Sequence, residues 1–260
     1  MIQRLQGRAV EKPEWGSTKL SPWFPDSDKK IGEVWFEGPP GSPLLIKFLF
    51  TTAALSVQVH PADEYAQQHH QSRGKTEMWH ILRAEPGARI AAGFKESITG
   101  VRLRSSAESG EIEELLAWYE ARPGDTFFIP AGTVHAIGGG LVLCEIQQTS
   151  DITYRLYDYG RPRELHLDRS TAVSDLGPHA ARQTAREGIL VECPYFTTEK
   201  YIVRGAATLP SLDRDQSVII LEGVGHLAGL PVQAGEVYLI SAGSPPTEVS
   251  GELSVLRTFV

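Results

Sequence analysis

Short apolar runs, separated by glycine, proline and polar residues, form the main pattern along the chain. The clearest runs cover residues 44–50, 55–59, 78–82, 126–129, 141–146, 217–221 and 237–240. Runs of this length between turn-forming residues are typical of β-strands, and many of them in succession indicate a barrel or a sandwich. The pattern therefore predicts an all-β fold with a few short helices.

Helical periodicity is confined to a few places. Over residues 111–120 the apolar positions recur at the i, i+3, i+4, i+7 spacing of an amphipathic helix. The residues that carry this period are Ile112, Leu115, Leu116 and Tyr119. A second short helix is predicted over residues 63–71. Both are expected to decorate the β scaffold.

One stretch of the chain is repeated. Residues 124–135 read GDTFFIPAGTVH, and residues 235–246 read GEVYLISAGSPP. Each copy has an acidic residue after the first glycine, a stretch that can form a strand, and a turn of small residues. Pro246 stands in the second copy where His135 stands in the first. The repeat predicts two related β units, of which only the first keeps the histidine.

The repeat also suggests how the chain divides. At 260 residues, the chain is long enough for one large β domain or two smaller ones. We expect a first domain over residues 1–180 and a degenerate second domain over residues 181–260. The segment 177–188, rich in Ala, Arg and Gly, is the expected connection between them.

Composition and charge narrow the class of protein. The chain is 41% hydrophobic and 22% charged, as in ordinary globular proteins. No stretch approaches the roughly 20 apolar residues of a membrane helix, and the N-terminal segment lacks the apolar core of a secretory signal, so a cytoplasmic protein is predicted. The net charge of −7 argues against nonspecific nucleic-acid binding, which needs clustered Lys and Arg. A small anionic substrate stays possible, because local charge can oppose net charge.

Polar residues with metal-binding atoms lie on one face of a predicted strand. In the sequence SVQVHP, strand alternation turns Gln58 and His60 to one side and the two valines to the other. Pro61 then ends the strand, since it cannot donate to the ladder. Cys144 and Cys193 are the only cysteines, so a thiolate cluster is excluded and any metal must use other ligands.

Two further ligands are predicted from neighbouring segments. Glu77 leads into the apolar strand that follows GKTE, and His135 comes directly after the turn PAGTV, where it can start the next strand. Two imidazoles, a carboxylate and an amide oxygen suit a borderline divalent cation, expected to be Zn²⁺. Since only the first repeat keeps its histidine, we expect one metal ion per chain, with an open position for catalysis.

These residues lie in sequences that resemble a known family. The residues Gly124, Pro130, Gly132 and His135 match the second cupin motif. More narrowly, the chain resembles type I mannose-6-phosphate isomerases over roughly residues 14–170, in their compact bacterial form. The segments that carry this resemblance are EWGSTKL, IGEVW, SVQVHPADEYA, GKTEMWHIL, PAGTVHAI, CEIQQTSDITYRLYDYGR and RELHLD.

The resemblance implies both a fold and a reaction. The fold is a double cupin, two jelly-roll β-barrels, with the C-terminal barrel truncated and without metal ligands. The reaction is the zinc-dependent interconversion of mannose 6-phosphate and fructose 6-phosphate, with the four ligands named above. The chain departs from the expected GKTECWYIL at Met78 and His80, and from the usual cupin asparagine at Gly139.

The resemblance also implies roles for residues around the metal. Glu145 is a candidate proton shuttle, or else a carboxylate that only orients other groups, and Arg155 either stabilises developing charge and binds phosphate or forms a structural salt bridge. Lys75 is expected to bind phosphate or assist proton transfer, and Ser56 to donate to phosphate. Arg161 falls where the family often has a basic residue near the phosphate, although a solvated loop charge is the alternative.

Three functions compete at this point. The isomerase needs a metal, a phosphate-binding cluster and a proton-transfer group, and the chain has candidates for each. A noncatalytic sugar-binding or regulatory cupin is the alternative, suggested by the degenerate second repeat. An iron or manganese dioxygenase is a third reading, but such sites tend to be richer in histidine.

Overall fold

The structure, a computed structural model, describes residues 1–260 and contains 19 strands and four helices. The strands are β1 (Ile2–Arg4), β2 (Gly7–Glu11), β3 (Ile31–Glu37), β4 (Leu44–Thr51), β5 (Val57–Val59), β6 (Glu77–Ala84), β7 (Arg89–Phe94), β8 (Leu116–Glu120), β9 (Thr126–Ile129), β10 (His135–Ile137), β11 (Leu141–Gln148), β12 (Tyr154–Tyr157), β13 (Arg182–Gln183), β14 (Ile189–Cys193), β15 (Phe196–Leu209), β16 (Gln216–Leu227), β17 (Leu230–Gln233), β18 (Val237–Ile240) and β19 (Thr247–Phe259). The helices are α1 (Asp63–His70), α2 (Gly100–Ser109), α3 (Ile112–Leu115) and α4 (Leu167–Val173). None of these helices combines the length and apolar character needed to span a membrane.

Two antiparallel sheets form the N-terminal barrel. One has five strands in the order β12-β5-β10-β7-β8, and the other has seven in the order β13-β9-β6-β11-β4-β3-β2. Their inner faces pack into a shared core, in which Leu49 and Trp79 of the larger sheet meet Ile90 and Ile137 of the smaller one. Side chains that alternate inward from both sheets therefore converge on the space between them.

A third antiparallel sheet forms the C-terminal part. It has seven strands, with the long strands β15, β16 and β19 at its centre. Strand β1 pairs with β18, so the first residues of the chain belong to this last sheet. One hydrophobic cluster joins Phe48 and Met78 of the N-terminal barrel to Phe196 and Ile219 of the C-terminal sheet. The predicted all-β fold class is confirmed.

The boundary region between the two parts contains a short strand. Within the predicted connection, β13 at Arg182–Gln183 pairs with β9 of the N-terminal barrel. The C-terminal sheet begins at Ile189 with β14. The division at residue 180 stays a prediction, because β13 lies beyond that residue and still pairs with the N-terminal barrel.

The seven predicted strands all coincide with strands of the structure, and the helix predicted over 63–71 is confirmed by α1. The helix predicted over 111–120 is wrong in its second half. Helix α3 ends at Leu115, and residues Leu116–Glu120 form β8, which pairs with β7. Leu116 is fully buried there, because pairing at the edge of the smaller sheet places it in the core.

The repeat has the same backbone geometry in both copies. Gly124 and Gly235 adopt φ of 90° and 88°, and each is followed by a four-residue strand. Gly132 and Gly243 then adopt φ of 90° and 68° in the following turn. A positive φ favours glycine, so the repeated glycines mark the same pair of turns in both parts.

Candidate active site

The predicted ligands are brought together from the two facing sheets. Gln58 lies in β5 and pairs directly with His135, the first residue of β10, while His60 follows the end of β5. Glu77 begins β6 in the opposite sheet. The ligand atoms of His60, Glu77 and His135 all lie within 4.8 Å of one another, and the three side chains are buried. The barrel thus places a carboxylate opposite two imidazoles.

Both histidines have their tautomer fixed by a backbone carbonyl. The Nδ1 atom of His60 lies 2.8 Å from the carbonyl oxygen of Ile152, and Nδ1 of His135 lies 2.8 Å from that of Thr133. Each Nδ1 therefore carries the proton and donates, which leaves Nε2 as the acceptor nitrogen of the ring. These Nε2 atoms are 3.7 Å and 3.5 Å from the oxygens of Glu77.

Burial keeps these imidazoles neutral. Desolvation holds the pKa of His60 well below its ordinary value, and the nearby Lys75 ammonium lowers it further. Burial likewise lowers the pKa of His135 to about 4. A neutral imidazole is the form that binds a metal ion, so both rings are ready to act as ligands near neutral pH.

The carboxylate of Glu77 has a single partner, the ammonium of Lys75. Lys75 Nζ lies 2.7 Å from Oε2, whereas the buried Oε1 accepts no hydrogen bond. Burial raises the pKa of Glu77 to about 7, against the opposing effect of Lys75. A buried carboxylate oxygen without a partner is costly, and a cation bound at Oε1 would satisfy it. The residues therefore fit a divalent metal ion, with the lone pairs of the two imidazoles completing its ligands.

Gln58 lies at the edge of this group. Its Nε2 atom is 3.3 Å from His135 Nε2, and its Oε1 accepts a hydrogen bond of 3.2 Å from the Ser56 hydroxyl. The two ends of a carboxamide have nearly the same shape, and a half-turn brings the oxygen to the histidine side. Its amide is thus placed within reach of the same ion.

A cavity of about 300 Å³ adjoins this centre and has a strongly charged lining. Five lining side chains are cationic and three are acidic, although the whole chain carries a net charge of −7. Lys75 connects the cavity to the ligands, because its Nζ atom lies 3.1 Å from His60 Nε2 and also contacts Glu77. The charged lining residues are Lys12, Glu33, Lys47, Lys75, Glu145, Asp151, Arg155 and Arg163.

Glu145 faces the cavity between two hydrogen-bonding partners. Its Oε2 accepts a hydrogen bond of 3.0 Å from the Trp79 indole, and its Oε1 lies 3.3 Å from Lys47 Nζ. Burial by itself raises the pKa of this carboxyl, but the ammonium groups of Lys75 and Lys47 outweigh burial and lower the pKa overall. Glu145 is therefore held ionised, as a base must be.

The predicted arginines lie in different positions. Arg155, which pairs with Gln58 across β12 and β5, lines the cavity and donates through Nη1 to the carbonyl oxygen of Glu164. Arg161 does not line the cavity, because its guanidinium binds Asp158 and lies over the ring of Tyr159. The predicted contact of Arg161 with phosphate stays a prediction.

Five charged cavity residues were missed by the sequence reasoning, namely Lys12, Glu33, Lys47, Asp151 and Arg163. A signal for Lys47 exists, because a single lysine interrupts the apolar run LLIKFLF at an inward-facing position. Arg163 follows two other charged positions in a loop, where alternation gives no information about direction. Ser56 and Trp15 also line the cavity, and the predicted contact of Ser56 with phosphate stays a prediction.

Fold and site together define a cupin-like β-barrel protein with a candidate metal-binding site. No family model matches the chain. It is 38% identical over 228 residues to the mannose-6-phosphate isomerase ManA of Bacillus subtilis, covering 80% of this chain and 72% of that protein. The chain belongs to the mannose-6-phosphate isomerase family.

Further comparisons agree with this assignment. The chain is 37% identical to a mannose-6-phosphate isomerase of Streptococcus mutans over 83% of this chain and 73% of that protein. The crystal structure of the mannose 6-phosphate isomerase from Bacillus subtilis superposes with a TM-score of 0.87 at 28% identity, covering 99% of both chains. The similarity therefore includes the C-terminal sheet as well as the barrel.

Proposed function

We propose that the chain is a cytoplasmic, zinc-dependent aldose-ketose isomerase that interconverts mannose 6-phosphate and fructose 6-phosphate through an enediol. The observation that carries the proposal is the direct contact between the neutral two-histidine, one-carboxylate centre and a cationic cavity, made through Lys75. Family membership points to the same reaction. A noncatalytic sugar-binding cupin needs no ionised carboxylate beside its metal centre, so Glu145 favours the enzyme.

The metal would be held by Gln58, His60, Glu77 and His135. When bound, zinc supplies a Lewis acid that stabilises negative charge developing on substrate oxygens. The side chains around it have the other tasks. Lys75, as an ammonium next to the ligands, can donate hydrogen bonds to the same oxygens, since the attraction of Glu77 and Glu145 outweighs burial and raises its pKa.

Proton transfer between the two carbons needs a base that is ionised at neutral pH. Glu145 meets this requirement, because Lys47 and Trp79 stabilise its carboxylate inside the cavity. It would accept the proton from C2 of the aldose and return it to C1, and the ketose forms as the proton of the O2 hydroxyl is transferred to O1. Trp79 donates to one oxygen of the Glu145 carboxylate and so holds it in one orientation.

The phosphate group would be bound by cationic and hydroxyl groups of the lining. Ser56 and Arg155 both face the cavity. Arg155 has an Nε atom that is buried and unpartnered, so an acceptor from the substrate would satisfy it. The guanidinium also stabilises negative charge on the enediolate if the sugar lies alongside it.

A coupled assay tests the proposal. Purified protein is incubated with mannose 6-phosphate before and after removal of metal by a chelator, and again after zinc is restored. We expect turnover that is lost on chelation and regained with zinc. Protein that binds the sugar phosphate without turning it over, with zinc fully loaded, would favour the noncatalytic cupin.

Matched variants make the result specific to the site. Glu145→Gln should abolish most turnover while the metal content stays the same, because Glu145 contacts Trp79 and Lys47 rather than the ligands. Glu85→Gln, in the loop after β6, is the control and should retain activity. Equal activity of Glu145→Gln and the control would remove Glu145 from the mechanism.

A further inference from the structure

A guanidinium at the wall of the cavity is fixed by a buried carboxylate. Arg163 donates to Asp158 through two nitrogens, with Nε 2.6 Å from Oδ2 and Nη2 2.6 Å from Oδ1. The Asp158 side chain is only 2% exposed. This bidentate pairing fixes the plane of the guanidinium, because both donors of the pair are set by one rigid carboxylate.

The pairing leaves part of Arg163 free to bind another acceptor. Five N–H bonds are available on a guanidinium, and Asp158 uses two of them. The Nη1 atom has no partner among the hydrogen bonds of the chain, and Arg163 lines the cavity. An anchored guanidinium with its remaining donors at a cavity wall is an arrangement suited to an anion.

Three arginines cluster at this end of the cavity, and the negative charges near Arg155 and Arg163 are those of Asp158, Glu164 and Glu14. Arg155, Arg161 and Arg163 lie close together, and Asp158 is the only carboxylate hydrogen-bonded to any of them. Burial lowers the pKa of Arg155, and the charge of Arg163 lowers it further. The unpartnered Nε of Arg155 adds a second unused donor. An anion between Arg155 and Arg163 would relieve both the repulsion and the unmet hydrogen bond.

Only one of the two arginines on Asp158 faces the cavity. Arg161 shares Oδ1 of Asp158 at 2.7 Å, but it packs over Tyr159 and is absent from the lining. Arg163 makes no hydrogen bond to the metal ligands or to Lys75, so its free donors are available to a group away from the metal. In an open-chain hexose 6-phosphate, the phosphate is at the end opposite to the reacting carbons C1 and C2.

We propose that Arg163, positioned by Asp158, binds the phosphate group of the substrate beside Arg155. The proposal rests on the proposed isomerase function for the identity of the sugar, but the phosphate site itself can be tested without turnover. Arg163 is a binding residue in this scheme, and Asp158 is a positioning residue that acts through it.

The test compares Arg163→Gln, Arg163→Lys and Arg161→Gln in zinc-loaded protein. For Arg163→Gln we expect KM for mannose 6-phosphate to rise about 10- to 100-fold, the size expected for a lost charge-assisted hydrogen bond, with a much smaller change in kcat. The inhibition constant of inorganic phosphate should rise in parallel. Arg163→Lys keeps the charge but loses the planar, bidentate arrangement of guanidinium donors, so its KM should lie between those of wild type and Arg163→Gln.

Binding of inorganic phosphate, measured by calorimetry, separates this proposal from the isomerase reaction. If wild type binds phosphate and Arg163→Gln does not, the site stands even where no turnover is detected. If Arg163→Gln binds phosphate as wild type does, or if Arg161→Gln weakens phosphate binding equally, the proposal is overturned. Equal weakening would mean that loss of any partner of Asp158 disturbs the loop. Thermal unfolding of each variant checks that folding is retained.

Discussion

The ammonium of Lys47 lies 3.3 Å from the carboxylate of Glu145, with both side chains almost fully buried, at 3% and 4% exposure. The two residues are direct partners across β4 and β11. Lys47 also lies over the Trp35 ring, 4.3 Å from its centroid, which holds the ammonium on the inner face. The proposed base of the site is thus kept ionised by a residue from the neighbouring strand.

The first prediction concerns this pair. Lys47→Met keeps most of the aliphatic chain but removes the charge, so the pKa of Glu145 should rise. A higher pKa leaves the base protonated up to a higher pH, and the acidic limb of the kcat/KM profile should move upward by about one pH unit. Lys29→Met, which removes the exposed ion pair with Glu11, is the control and should leave the profile in place. An unmoved limb in Lys47→Met would show that Glu145 is not the group that titrates.

The second prediction concerns the metal ligands. Glu77→Gln and His135→Ala each alter a proposed ligand, so zinc affinity should fall by more than the roughly 10- to 100-fold cost of altering an outer-shell partner. Elemental analysis after dialysis measures the bound metal. His226→Ala, in the C-terminal sheet, should retain as much zinc as wild type. Full zinc content in Glu77→Gln would contradict the proposed centre.

The third prediction concerns a buried histidine outside the active site. His80 Nε2 lies 3.0 Å from Lys200 Nζ of the C-terminal sheet, and His80 Nδ1 lies 2.9 Å from the Thr126 hydroxyl. Burial lowers the pKa of His80 to about 3, and the Lys200 charge adds to this. The unfolded chain takes up this proton below about pH 6.5, whereas the folded chain does not.

The stability contributed by neutral His80 is therefore lost as the pH falls from about 6.5 toward 3. In His80→Gln, the free energy of unfolding should depend less steeply on pH, by up to about 1.4 kcal/mol per pH unit. Urea unfolding at pH 6.5 and pH 4.5 measures the difference. Lys200→Met should also flatten the pH dependence, but to a smaller extent, because the charge of Lys200 lowers the pKa of His80 less than burial does. Parallel curves for wild type and His80→Gln would refute the linkage.

The fourth prediction concerns the contact between the two parts of the chain. Phe196 is 1% exposed in the core cluster that joins the barrel to the C-terminal sheet. Phe196→Ala should lower the free energy of unfolding by about 3–5 kcal/mol, in a single cooperative transition. Ile202→Ala, on the same strand but 60% exposed, should change it by less than about 0.5 kcal/mol. If Phe196→Ala instead unfolded in two separate transitions and only one of them had a changed midpoint, the two parts would be shown to unfold independently.

Local pattern was sufficient for the strands and for part of the site. Alternation along SVQVHP predicted that Gln58 and His60 share one face, and the structure has Gln58 in β5 with His60 just after its last residue, Val59. The turn before His135 predicted that this histidine starts a strand, as it does in β10. These features depend on the chemistry of a few neighbouring residues, because strand periodicity and turn geometry are set locally.

Local pattern was not sufficient over residues 111–120, where the same apolar spacing occurs in a short helix and in the strand that follows it. The apolar spacing over 111–120 suits a helix, but Leu116–Glu120 gains a strand partner in β7. That partner is more than 20 residues away along the chain, at Arg89–Phe94. Pairing with a distant strand and burial of Leu116 outweigh a modest helical propensity, and neither is visible in the segment itself.

The sequence by itself determined the strands, the metal-binding residue types and the family. Only the tertiary structure decided that Glu77 lies opposite the two histidines, that Lys47 forms an ion pair with Glu145, and that Arg163 rather than Arg161 reaches the cavity. The physical reason is that these relationships depend on the packing of two sheets and on ion pairs between distant residues. Distances of this kind are fixed by the packing of the whole barrel, whereas strand and turn propensities act over a few residues.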